Sequence, residues 1–109
     1  MLRTPRQRKV LCRDCHVART ADLVGDSVSI LIVRDLLLRP RRFGDFEMTL
    51  AGVSSRTIAN KLKKLEQDGL VRRDVSKRIL PRGEYRLTPK GRALRSVVES
   101  MRIYGKKYL

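Results

Sequence analysis

The stretch from Ser54 to Gly69 constrains this sequence more than any other. Ile58, Leu62 and Leu65 recur at i, i+4 and i+7, which draws one narrow apolar stripe along an α-helix. Ser54 or Ser55 supplies its N-cap, because a hydroxyl can accept from the open N–H groups of the first turn. Gly69 stands at the C′ position, free to take the left-handed backbone conformation that closes helices. With the stripe turned inward, Arg56, Asn60, Lys63, Lys64 and Gln67 point outward, and Thr57 and Lys61 flank them.

The flanking sequence suggests what this helix belongs to. His16–Val24 places Val17, Ala21 and Val24 at helical spacing, with Gly25 as a stop. Val28–Leu38 is apolar on nearly every face; it is longer than strands commonly run, so it reads as a buried helix ended by Pro40. Phe43, Phe46 and Leu50 mark a short amphipathic helix within Arg42–Leu50, and Ala51-Gly52-Val53 breaks it. Leu70–Val75 and Glu84–Leu87 look like strands, with Leu70, Val71, Val75, Tyr85 and Leu87 as inward candidates. Between them runs the basic, turn-rich loop from Ser76 to Gly83. Thr88 then caps a helix with Pro89 at its first position. Leu94, Val97, Val98, Met101, Tyr104 and Tyr108 continue the apolar face of that helix almost to the last residue. Met1–Arg13 is basic and lacks apolar periodicity, and residues 1–14 read as a flexible arm ahead of one domain over 15–109.

Charge narrows the function. The chain holds 26 Lys and Arg against 11 Asp and Glu, a formal charge of +15 over 109 residues. Such an imbalance repels itself, and a polyanionic partner is the usual reason to keep it. Aromatic residues are only 5%, too few to stack many single-stranded bases, which favours double-stranded DNA. No apolar stretch approaches the roughly 20 residues of a membrane span, and no apolar segment of a secretory signal follows the basic N-terminus. The expected location is cytoplasmic and nucleoid-associated, with no membrane partner.

Two helices joined by a short glycine-containing break, followed by a hairpin with a basic tip, is the order of a winged helix-turn-helix. The expected fold is mainly α with a small β-hairpin wing. Phe43–Leu50 is then the supporting helix and Ser55–Asp68 the recognition helix in the major groove. Arg can fork onto guanine and Asn onto adenine. Ser55, Arg56, Thr57 and Asn60, near the helix start, are placed to reach bases, while Lys61 and Lys64 suit phosphates. Lys77, Arg78 and Arg82 at the hairpin tip suit the backbone or the minor groove, where they add affinity more than sequence information. The rival within DNA binding is a non-specific architectural protein that coats duplexes by charge alone, since phosphate contacts dominate affinity in both.

The chain resembles the HxlR-type winged-helix regulators, a branch related to the MarR family, from about Cys15 to Tyr108. The resemblance is carried by Ala21-Asp22-Leu23-Val24-Gly25-Asp26 with Ile30–Leu36, by Arg41-Arg42-Phe43-Gly44-Asp45-Phe46, by Val53–Ile58 with Leu62–Val71, and by Glu84-Tyr85-Arg86-Leu87-Thr88-Pro89-Lys90-Gly91. Each element alone is weak; all of them in this order are specific. The resemblance implies a homodimeric transcription regulator on a pseudo-palindromic operator, with helices added at both ends for dimerisation. The dimer contacts it implies are His16–Val24 and the stripe Leu94, Val97, Val98, Met101, Tyr104 and Tyr108. The chain departs from the family at Val28, where a Trp is usual, so its effector, a small molecule or a redox agent, stays unidentified.

Cys12-Arg13-Asp14-Cys15-His16 matches the C-x-x-C-H pattern of covalent haem attachment. That chemistry belongs to exported proteins, and no signal segment precedes it. Zinc on the two thiols and His16 would lack a fourth ligand from this chain, leaving only a clip between molecules; no metal or cofactor is expected. A Cys12–Cys15 disulfide would close a very small loop. The resemblance places Cys15 at the family's N-terminal cysteine, a redox or electrophile sensor in some members. Arg13, Arg19 and a helix N-terminus would favour its thiolate; the alternative is a plain reduced thiol. No nucleotide-binding glycine motif or catalytic constellation is present, so no enzyme is expected.

Overall fold

The apolar run after Asp26 is a buried helix. In the computed structural model, which describes residues 15–75 and 83–109, α1 is His16–Val24 and α2 is Ser27–Leu38. Asp26 starts α2 by accepting the Ser29 N–H at 2.9 Å, and Ile32 and Val33 are completely enclosed. α2 packs against the other major elements, so it needs apolar residues on most faces, which explains why the run shows little periodicity.

Next come β1 (Arg41–Arg42), α3 (Phe43–Thr49), α4 (Ser55–Gln67), β2 (Val71–Asp74), β3 (Glu84–Leu87), α5 (Pro89–Arg92) and α6 (Arg95–Tyr108). The strands form one antiparallel sheet in the order β1-β3-β2. β2 and β3 are the expected hairpin, with Val71 opposite Leu87 and Asp74 opposite Glu84. α2, α3, α4 and the start of α6 close over the sheet around Phe46, Ile58, Leu62, Leu65 and Leu87. The Phe46 ring meets Tyr85 edge-on at 6.2 Å.

Four details differ from the sequence reading. Arg42, expected as the first residue of the short helix, is instead extended with Arg41 as β1, because Arg41 pairs with Tyr85 and Arg42 with Glu84, a contact that no local pattern announces. Leu70 is buried as expected but precedes β2, because its N–H closes α4 onto Leu65 O at 2.9 Å. Val75, expected to face inward, follows the end of β2 and is 58% exposed, since the ribbon has left the core by that point. The long C-terminal helix is two helices. Thr88 caps the first through the Gly91 N–H at 3.1 Å, as expected, but the Leu94 N–H bonds to Gly91 O in a tightened turn. Gly91 is pressed onto the Leu70 backbone, where a Cβ would lie 2.1 Å from the carbonyl oxygen. That contact fixes α5 against the sheet, and the chain bends before α6 to bring Leu94 and Val98 to the core.

Candidate nucleic-acid interface

The interface is set by how α4 leaves α3. Gly52 takes φ +92 in the turn between them, and Leu50 is buried beside it. Of the two candidate serines, Ser54 is the N-cap: its Oγ accepts the Thr57 N–H at 3.1 Å and donates to Thr57 Oγ1 at 2.9 Å. Ser55 Oγ donates to the Glu47 carboxylate, which ties the first turn of α4 to α3. At the other end Gly69, with φ +77, donates to Glu66 O while Leu70 donates to Leu65 O, the paired bonds of a Schellman close. Both ends of α4 are fixed, and its apolar stripe is buried completely, with Ile58, Leu62 and Leu65 at most 1% exposed.

The outer face divides into two groups. Arg56 and Asn60 are exposed, and among the described residues neither side chain has an ion-pair or hydrogen-bond partner. The lysines assigned to phosphates are engaged within the chain. Lys61 Nζ lies 3.6 Å from Asp26 Oδ2, and Lys64 Nζ lies 2.6 Å from Asp68 Oδ2 one turn along. Thr57 and Ser55, assigned to bases, have their hydroxyls in the local bonds described above. Burial raises the affinity of Asp26 for a proton, but hydrogen bonds from the Ser29 backbone and side chain, together with the Lys61 charge, outweigh it. The net effect holds its carboxyl below the usual 3.8.

Of the wing, β2 and β3 are described, while Lys77, Arg78 and Arg82 lie outside the described residues. β2 adds two cations the sequence reading left unassigned, Arg72 and Arg73, both exposed. Their signal was weak, because a strand reading V-R-R-D does not alternate.

Cys15 is exposed and N-caps α1, its Sγ accepting the Ala18 N–H at 3.4 Å; Cys12 is outside the described residues. α1 and α6 flank an open apolar groove lined by Val17, Ala21, Val24, Ile30, Val97 and Met101. The stripe expected to form the dimer contact is split. Leu94 and Val98 are in the core of the monomer, at 8% and 6% exposure, whereas Met101, Tyr104 and Tyr108 are 52%, 61% and 63% exposed. The core takes the first two because the bend before α6 turns its N-terminal end toward α2. Among the described residues no helix is long and apolar enough to cross a membrane.

Comparison with known proteins gives this arrangement a family. The pattern of the HxlR-like helix-turn-helix family matches residues 23–109. An HTH-type transcriptional regulator of Synechocystis sp. is 37% identical over 95 residues, which span 87% of this chain and 70% of the relative. Among solved structures, the redox regulator HypR in its reduced form superimposes with a TM-score of 0.78 at 30% identity, covering 84% of this chain and 90% of HypR. Quinone-bound YodB from Bacillus subtilis gives 0.72 at 30% identity, covering 84% of this chain and 97% of YodB. These relatives are regulators and not enzymes. With its helix-turn-helix, its hairpin and this match along most of its length, the chain belongs to the HxlR-like family of winged helix-turn-helix transcriptional regulators, related to MarR.

Proposed function

We propose that the protein acts as a homodimer that reads a pseudo-palindromic operator, with α4 in the major groove of each half-site. The observation that carries this reading is the outer face of α4, where Arg56 and Asn60 stand exposed on a helix fixed at both ends. Arg can fork onto guanine O6 and N7, and Asn onto adenine N6 and N7. A helix that did not hold its orientation could not make such paired bonds with one base rather than another. Ser55 and Thr57 sit beside them at the helix start, and Lys61 and Lys64 along the flank meet phosphates once DNA displaces their carboxylates. The loop from 76 to 83, with Lys77, Arg78 and Arg82, extends the exposed cations of β2 along the backbone or into the minor groove. Two such domains must present their recognition helices about one DNA turn apart, roughly 34–36 Å.

The dimer contact in this reading is the outer part of α6, at Val97, Met101, Tyr104 and Tyr108, together with α1. An effector acts on Cys15 at the start of α1. The exposure of that thiol supports this, as do HypR, a redox regulator, and YodB, captured with a quinone. The protein then works on the nucleoid in the cytoplasm.

Fluorescence anisotropy tests the DNA reading. The protein is titrated onto the duplex upstream of its own gene, onto genomic fragments, and onto a shuffled duplex, over a salt series. An operator gives an excess affinity on the order of 10³-fold that persists at high salt. Equal affinities with equally steep salt slopes on every duplex mark an architectural protein and overturn the proposal.

A further inference from the structure

We infer that Asp26 and Asp68 are specificity-determining acids, whose carboxylates compete with DNA phosphates for Lys61 and Lys64 and so restrain binding to arbitrary duplexes. The inference rests on the proposal that α4 meets DNA. A chain of charge +15 binds any duplex through counterion release, and each phosphate it neutralises adds to that sequence-independent affinity. Discrimination improves when cations that read nothing are held back until the base contacts are made.

The geometry suits that task. Both acids are held by bonds other than those to Lys61 and Lys64, Asp26 through its carboxylate and Asp68 through its backbone. Asp26 Oδ1 caps α2 through the Ser29 N–H, which leaves Oδ2 facing Lys61. Asp68 is the C-cap residue of α4, and its backbone carbonyl accepts from Lys90 Nζ at 3.0 Å. The side chains of Lys61 and Lys64 are 33% and 44% exposed. Pairs in that setting are weak and screened, so a phosphate can take the lysine. On an operator, the bonds of Arg56 and Asn60 to bases hold α4 close enough to complete the exchange. On an arbitrary duplex nothing offsets the loss of the ion pair, and the carboxylate also repels the backbone.

The test compares Asp26→Asn, Asp68→Asn and a charge-matched control on a scrambled duplex, by anisotropy over a salt series. Asn ranks with Asp as an N-cap, so the first variant keeps the start of α2. Glu99→Gln is the control: it makes the same change in net charge at an exposed pair with Arg102 on α6, on a different helix from the lysines. Each Asp variant is expected to steepen the salt slope by about 0.9, and to tighten scrambled-duplex binding on the order of tenfold at about 50 mM salt. In a Lys61→Gln background, Asp26→Asn adds much less than in wild type, because only the direct repulsion of the backbone by its carboxylate is left to remove. Wild-type slopes in the Asp variants, or an equal change in Glu99→Gln, overturn the inference. Should Asp26→Asn fail to fold, Asp68→Asn carries the same comparison. Wild type showing no preference for any natural fragment counts against the sequence-specific reading alone, because the slopes are measured on scrambled DNA.

Discussion

α4 and α6 are amphipathic helices of nearly equal length, 13 and 14 residues, that use their apolar sides differently. In α4 the stripe is entirely enclosed, and what remains outside is Arg, Asn, Lys and Gln. In α6 only Val98 is buried, and Met101, Tyr104 and Tyr108 remain outside with Ile103 and Leu109. One helix shows solvent a hydrogen-bonding, cationic face; the other shows it aromatic rings, with Tyr104 and Tyr108 5.1 Å apart and tilted by 41°. An exposed apolar patch on a helix that already has its place in the core fits the proposed contact with a second copy. An exposed polar face on a helix fixed at both ends suits a partner that must be read.

Truncations sharpen the contrast first, with the largest effect. Leu62→Ala in α4 should cost about 2–5 kcal/mol of stability in urea unfolding, the range for a buried leucine whose cavity does not refill. Tyr108→Ala in α6 should stay within about 0.5 kcal/mol at concentrations where the chain is monomeric. A comparable loss from both would remove the distinction between the helices. Met101→Glu comes next. A carboxylate in the apolar contact should turn the proposed dimer into monomer by sedimentation velocity while the helical circular dichroism is kept, and a dimer that survives it places the contact elsewhere. Arg56→Ala and Asn60→Ala should each remove about 1–3 kcal/mol of operator preference, with affinity for shuffled DNA little changed for Asn60→Ala. If specific and non-specific binding fall in parallel for that variant, α4 is not reading bases.

The smallest effect concerns pH. Asp26 holds its proton less tightly in the folded chain than in the unfolded one, so its contribution to stability is fully present above the ordinary aspartate value. It is lost as pH falls through the lowered folded value. The stability difference between wild type and Asp26→Asn should therefore keep its full size well above the ordinary aspartate value of 3.8 and shrink as pH falls below it in urea titrations. A difference that does not change with pH would detach Asp26 from Ser29 and Lys61.

Much of the fold was legible because its signals are short-range. Ser54, Thr88 and Gly69 mark helix ends through bonds to residues only three positions away. The polar face of α4 followed from its stripe alone. The partners of that face were not legible. Ser55 meets Glu47 from the preceding helix, and Lys61 meets Asp26 from the start of α2, so two residues marked for DNA have neighbours within the chain that spacing cannot indicate. Arg72 and Arg73 were passed over because both fall outward on consecutive residues of a strand.

What consecutive residues settle without help is the order of helices and strands, the ends of most of them, and which side of α4 is polar. Those properties depend on periodicity and on caps, which are local. The packed chain decided three further matters. Arg41 and Arg42 became a strand because Tyr85 and Glu84 lie alongside. The last helix broke in two because Gly91 meets the Leu70 carbonyl. Leu94 and Val98 went to the core while Met101, Tyr104 and Tyr108 stayed at the surface. Each depends on surfaces brought together from distant parts of the chain, and a helical stripe shows where apolar side chains point without showing what covers them.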